Sequence, residues 1–271
     1  MANEEKTTTT VTEFHVPIED TYMNVIRFGR GEKQLLVLSG MSLCGLEGMG
    51  AALENLYKSF IDDYTIYVFD RRKVLPTGFQ VRDMAADVYN VCQGQGVDKA
   101  YIVGASQGGM MAQWLAVDHP DFVEKMIVVS SQCKATAKMI TFGEESSKFA
   151  DAEDIVGVNR YFFNMVYSPA YLEAYKEALP TLEKQGSPAD CVRYKILANA
   201  CKEFDVSGHM DKITCPVLVV GDNNDKVIGV EGSNEIAQAL NCEKYIYDQY
   251  SHAVYDEAPD FLDKVKTFLE K

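Results

Sequence analysis

Ala100-Tyr101-Ile102-Val103-Gly104-Ala105-Ser106-Gln107-Gly108-Gly109 is the stretch that decides the fold. Ala100–Val103 is a short apolar run that reads as a strand buried on both faces, and from Gln107 a helical pattern runs through Trp114 to Val117. A serine caught between them sits on a sharp turn. Gly104 and Gly108 flank it at the two positions where a side chain would hold strand and helix apart. In that context G-x-S-x-G presents the serine hydroxyl clear of the sheet. It also aims the Gln107 backbone N–H and the positive end of the helix at any oxyanion formed there. A turn that merely packs helix on strand is the alternative, and the strand–turn–helix setting weighs against it. The glycines do not fit G-x-x-x-x-G-K-[ST] or G-x-G-x-x-G, so the loop is not read as a phosphate cradle.

Outward from this turn, near-continuous apolar runs recur at Gln34–Leu38, Thr65–Phe69, Lys125–Val129, Val217–Val220 and Lys244–Tyr247. Helical patterns separate most of them, at Gly48–Phe60, Val81–Cys92, Gly232–Leu240 and Pro259–Leu269, the last with Pro259 suited to a first helical turn. Alternating β and α elements predict a mostly parallel sheet covered by helices. Glu13–Ile18 and Tyr22–Phe28 add an antiparallel pair joined at Glu19-Asp20-Thr21. The alternation breaks from about Lys134 to Lys212, a Tyr- and Phe-rich, helical segment punctuated by Pro169, Pro180 and Gly186-Ser187-Pro188. It reads as a helical cap (134–212) inserted into a core made of 1–133 and 213–271.

A serine hydroxyl needs a base, and the chain has four histidines. His15 lies in the first strand and His119 a helix length from Ser106. His209 falls where the cap returns to the sheet, and His252 follows the last strand. In an open α/β sheet the reactive crevice lies beyond the carboxyl ends of the strands, which favours His252 and leaves His209 in reserve. The orienting carboxylate should also follow a strand. Gly221-Asp222-Asn223-Asn224-Asp225 offers two, of which Asp225 is favoured because Asp222 can serve as a turn residue. The order Ser106, Asp225, His252 is the one such a fold requires.

Charge and composition narrow the field. Against 40 Asp+Glu stand 26 Lys+Arg, a net charge of −14, which disfavours a nucleic-acid partner. No run reaches the roughly 18 apolar residues of a membrane span, and Met1–Thr10 is polar rather than basic then apolar, with Thr7–Thr10 read as a frayed terminus. Seven widely spaced Cys without a C-x-x-C pair read as reduced thiols of a cytoplasmic protein, several of them buried, and not as a zinc site.

Taken together, the elbow at Ser106, the Gly-x-x-x-Asp loop ending at Asp225, the Ser-His-Ala segment at His252 and the inserted cap resemble the α/β-hydrolase superfamily from about Glu13 to Leu269. The resemblance implies an α/β-hydrolase fold with an eight-stranded sheet whose second strand is antiparallel, a site under the cap, and no cofactor or metal. Two stretches depart from it. Relatives commonly carry His-Gly after the third strand, where this chain has Ser39-Gly40-Met41-Ser42; the second oxyanion donor, beside Gln107, is then the Met41 backbone N–H. Many relatives have Asp-x-Arg-Gly-x-Gly-x-Ser where this chain reads Asp70-Arg71-Arg72-Lys73-Val74, and these cations are expected to pair with Asp70 or neighbouring acids at the surface rather than with a substrate carboxylate.

The expectation is a serine hydrolase acting on a small or medium ester, thioester or lactone with an apolar acyl or alkyl portion. Cap aromatics, with Met41, Leu43 and Met110, would line its pocket. The same constellation admits C–C bond hydrolysis, perhydrolysis or a hydrolase-like ligand receptor. Oligomeric state is left open.

Overall fold

The computed structural model describes residues 11–271, so the stretch Met1–Thr10, with the terminus expected to fray, lies outside the described residues. The strands are β1 (Thr12–Ile18), β2 (Thr21–Gly29), β3 (Lys33–Leu38), β4 (Tyr64–Arg72), β5 (Ala100–Ala105), β6 (Val123–Val129), β7 (Val217–Asp222) and β8 (Glu243–Tyr247). They form one sheet in the order β1-β2-β4-β3-β5-β6-β7-β8. β2 pairs antiparallel with both β1 and β4, and every other neighbouring pair is parallel. The expected hairpin is present with a tighter turn, Glu19-Asp20, because Thr21 already pairs with Ile18.

The helices are α1 (Gly50–Leu56), α2 (Val81–Gly94), α3 (Gln107–Asp118), α4 (Ala137–Asp151), α5 (Ile155–Val166), α6 (Pro169–Ala174), α7 (Leu179–Leu182), α8 (Pro188–Lys202), α9 (Val230–Leu240), α10 (Val254–Glu257) and α11 (Phe261–Glu270). Strand side chains alternate between two cores, as a period of two requires. Leu36, Leu38, Ile102, Met126 and Val128 pack towards α2, α3 and α9. Leu35, Val37, Val103, Ile127 and Val129 pack with Tyr57 and Phe60, which follow α1, and with Phe261, Val265 and Phe268 of α11. Helix α11 starts at Phe261 with Asp260 as its N-cap, so Pro259 stands ahead of the helix and not in its first turn.

Helices α4 to α8 all lie between β6 and β7. Prolines in this segment open helices as well as interrupt the chain: Pro169 and Pro188 sit in the first turns of α6 and α8, where Ser168 and Ser187 cap the Tyr171 and Asp190 N–H groups. Lys134 and Asp205 form an antiparallel bridge. The Val206 N–H donates to the Cys133 carbonyl at 2.8 Å, so the segment leaves and rejoins the sheet at one place.

Candidate active site

Ser106 ends the β5-to-α3 turn with φ 54° and ψ −119°, a left-handed conformation costing about 1–3 kcal/mol for a residue with a side chain. Backbone bonds hold it there. Its N–H donates to the Val129 carbonyl at 2.8 Å, and its carbonyl accepts from the Gly109 N–H at 2.9 Å and the Ser131 hydroxyl at 2.8 Å. The flanking glycines are obligatory. A Cβ on Gly104 would stand 2.5 Å from the Gly108 carbonyl oxygen, and one on Gly108 would stand 1.9 Å from the Leu38 carbonyl oxygen. Close contact of α3 with β3 and β5 is what permits the strained serine.

The loops after β7 and β8 bring the other two expected residues together. His252 Nδ1 lies 2.9 Å from Asp225 Oδ2, with both residues about 2% exposed. Asp225 Oδ1 accepts the N–H groups of Val227 at 2.8 Å and Ile228 at 2.9 Å, which fixes the carboxylate plane. Burial pushes the Asp225 carboxyl up, but His252 and these two donors outweigh it and hold the group below the usual carboxylate range. An ionised Asp225 can only accept, so Nδ1 carries the proton in the neutral ring and Nε2 is left with a free lone pair.

Asp222 takes the other part foreseen for it. Its Oδ1 accepts the Asn224 N–H at 2.7 Å and its Oδ2 the Tyr250 N–H at 2.9 Å, so it shapes the Asp225 loop and ties it to the segment leading to His252. The remaining histidines lie elsewhere. His15 stacks on Tyr22, His119 stacks on Tyr89 at 3.4 Å with its pKa lowered by burial, and His209 packs near the Trp114 ring at 5.5 Å.

Ser106 and His252 line one cavity together with Gly40, Met41 and Tyr255. Among the described residues no backbone partner takes the N–H of Met41 or of Gln107. The Gln107 side chain turns away and donates to the Leu197 carbonyl of α8 at 3.1 Å. The sheet order, the left-handed serine on its elbow, and a match of residues 36–161 to the family model described as the alpha/beta hydrolase fold agree on the fold.

The chain has the α/β-hydrolase fold.

The chain is 24% identical over 253 residues to a protein from Rhizobium rhizogenes named putative carbamate hydrolase RutD, with 89% of this chain and 94% of the relative covered. It is 21% identical over 217 residues to 3-oxoadipate enol-lactonase 2 of Acinetobacter baylyi, covering 78% of this chain and 79% of that one. The crystal structure of the enol-lactonase from Burkholderia xenovorans superimposes with a TM-score of 0.83 at 17% identity, covering 95% of this chain and all of the other (100%).

Two sequence expectations about the surroundings of the site need correction, the lining placed on Leu43 and Met110 and the surface position of Arg71 and Arg72. Leu43 and Met110 are buried but are not among the residues lining the Ser106 cavity; Met139 and Phe142 of α4 and Phe162 and Val166 of α5 are. Two aromatics of the inserted segment, Phe142 and Phe162, reach that lining, while Tyr167, Tyr171 and Tyr175 stack in a row away from it with centroids 4.5 and 4.4 Å apart. Arg71 and Arg72 are not surface cations. Both are buried, because the carboxyl end of β4 runs on beneath α2 and α8.

Arg72 forms a two-pronged pair with Asp87 of α2 at 2.6 and 2.8 Å and a third contact with Glu19 at 2.7 Å. Asp70 is met instead by Arg193 of α8 at 2.7 Å. Arg71 donates to the Ser39 hydroxyl at 2.9 Å and to its carbonyl at 2.6 Å, which fixes the residue before Gly40-Met41; burial pushes its pKa down to about 10.

Some lining residues carried a signal that went unused. Met139 and Phe142 are three apart on α4, and Tyr255 lies one turn beyond His252. Arg193 carried none, since nothing near it in sequence marks a partner across the fold. All seven cysteines are free, with Cys92, Cys133, Cys191 and Cys201 buried. Among the described residues no helix is long and apolar enough to cross a membrane.

Proposed function

We propose that this protein is a serine hydrolase of small or medium esters, thioesters or lactones, working through an acyl-enzyme. His252 Nε2 takes the proton of Ser106 as Oγ attacks the substrate carbonyl carbon. Asp225 holds the imidazole in the tautomer that can accept that proton and stabilises the imidazolium once it forms. The N–H groups of Met41 and Gln107 bind the oxyanion of the tetrahedral intermediate. When the intermediate collapses, the bond from the carbonyl carbon to the leaving oxygen or sulfur breaks, and the imidazolium protonates the departing group. Water, deprotonated by His252, then attacks the acyl carbon and releases the carboxylic acid and free Ser106. Helices α4 to α8 act as a cap that keeps bulk water from the acyl-enzyme.

The observation that carries this reading is a left-handed Ser106 sharing a cavity with a histidine braced at 2.9 Å by a buried aspartate. The relatives' names add support in kind, since an enol-lactonase and a putative carbamate hydrolase are both named for cleavage at a carbonyl carbon. The test is labelling by a fluorophosphonate probe, followed by turnover of p-nitrophenyl esters. Wild type should be labelled and turn over many times, and Ser106→Ala and His252→Ala should lose both. Absence of labelling in wild type would end the proposal, and labelling without multiple turnovers would point to a receptor instead.

A further inference from the structure

The Ser106 cavity as it stands holds about 10 Å³ of free space, the lower limit for one water molecule. Most of a substrate must therefore lie elsewhere. Gly40 and Tyr255 also line a second cavity of about 130 Å³ on the opposite face of the oxyanion loop from α4 and α5. Its floor is the sheet, at Val37, Val68, Val103 and Ala105. Its walls are Leu53 and Leu56 of α1 and Leu262 of α11, and Leu56, 45% exposed, marks where it meets solvent. Asp256 is the single charged residue on the lining; it is exposed and accepts the Tyr167 hydroxyl at 2.9 Å. An apolar space of this kind favours an apolar guest, and a cavity of about 150 Å³ accommodates benzene.

We propose that this cleft between α1, α11 and the sheet is the acyl-chain site, and that preferred substrates carry a linear acyl group of about six carbons. The inference rests on the acyl-enzyme reading above. Proton transfer decides which part of the substrate enters. The leaving group takes its proton from His252 and so lies on the His252 side. The cleft borders Gly40 and Ala105, the residue before Ser106, but His252 is not on its wall. What points into it from a carbonyl at Ser106 is the other substituent, the acyl chain. Gly40 and Tyr255 are common to both linings, and the assignment requires the Tyr255 ring to turn aside when an acyl chain enters.

The experiment holds the leaving group constant and varies the acyl chain, measuring kcat/KM for p-nitrophenyl acetate, butyrate, hexanoate, octanoate and decanoate. A buried methylene is worth roughly a fourfold gain, so the rise from acetyl to hexanoyl is on the order of a hundredfold, followed by a plateau or fall beyond octanoyl. Leu53→Trp and Leu262→Trp fill the cleft from two elements and should each cut the hexanoate-to-acetate ratio at least tenfold. Val192→Trp, at a position 55% exposed on α8 and on neither lining, should leave the ratio unchanged. Two independent fillings guard against one failing to fold.

A ratio unmoved by either filling, in protein whose turnover still depends on Ser106, overturns the acyl site alone. Turnover that survives Ser106→Ala overturns the underlying reading instead. If the fillings shift the preference among acetate esters of butanol, hexanol and octanol rather than among acyl chains, the cleft holds the alcohol and the acyl assignment is wrong.

Discussion

Replacing Asp225 by Asn tests the proposed mechanism at the point where the geometry is most constraining. In the wild type, Oδ1 accepts two backbone N–H groups, from Val227 and Ile228, and Oδ2 faces His252 Nδ1. An amide in the same place must turn its oxygen to those two donors, since its NH₂ group cannot accept from them. The NH₂ then faces Nδ1 and donates, so Nδ1 must accept and the ring proton moves to Nε2. A ring protonated at Nε2 cannot take the Ser106 proton. The imidazolium also loses its buried anion.

The expected loss in kcat is about 10⁴-fold, roughly 5 kcal/mol of transition-state stabilisation. Shape and volume are nearly conserved, so the protein should still fold. The control is Asp222→Asn, where each carboxylate oxygen accepts one backbone N–H, from Asn224 and Tyr250. The amide necessarily leaves one of these unmet, at about 1–3 kcal/mol of stability. The folded fraction should keep kcat/KM within about tenfold, as the ring proton stays at Nδ1. Initial rates on a p-nitrophenyl ester, with thermal unfolding of both variants, decide the matter. If Asp225→Asn keeps more than about a tenth of the wild-type rate, or if the two substitutions cost the same, the tautomer argument fails.

Three further outcomes follow from the packing and the charges. Gly108→Ala places a methyl group 1.9 Å from the Leu38 carbonyl oxygen, a backbone atom that cannot swing away, and should destabilise by more than about 3 kcal/mol; a Tm within about 2 °C of wild type would contradict the close contact of α3 with β3. Arg72→Met strands a buried Asp87 and should cost about 3–5 kcal/mol in urea unfolding, while the double change Arg72→Met with Asp87→Leu should recover most of it; no recovery would mean that the pair is worth more than its desolvation. Asp225 has a depressed pKa in the native state, so below its unfolded value, about 3.9, the unfolded chain binds the proton first. Its stabilising contribution is therefore present at neutral pH and above, and is lost as pH falls through the native pKa. Asp225→Asn should lose less stability than wild type between about pH 5 and pH 2, and parallel acid curves would show that the group is not linked to folding.

The features legible in the amino-acid order were local or periodic. The strained Ser106, the glycines that allow it, the strands of the sheet and the order Ser106, Asp225, His252 are written in neighbouring residues, because φ and ψ and burial period are set within a few positions of the chain. The preference for Asp225 over Asp222 could be argued there, but the distance to His252 could not. It depends on how the loops after β7 and β8 fold towards each other, and Asp222 fixes that by binding a backbone N–H in each.

The burial of Arg71 and Arg72 follows from long-range packing alone. A charged run after a strand looks like solvated surface until α2 and α8 are laid over it. The same holds for the lining of the two cavities, assembled from α4 and α5 on one side of Gly40 and from α1 and α11 on the other, with α10 contributing to both. Such contacts join residues separated by tens to hundreds of positions, and no periodicity along the chain reports which helix faces which.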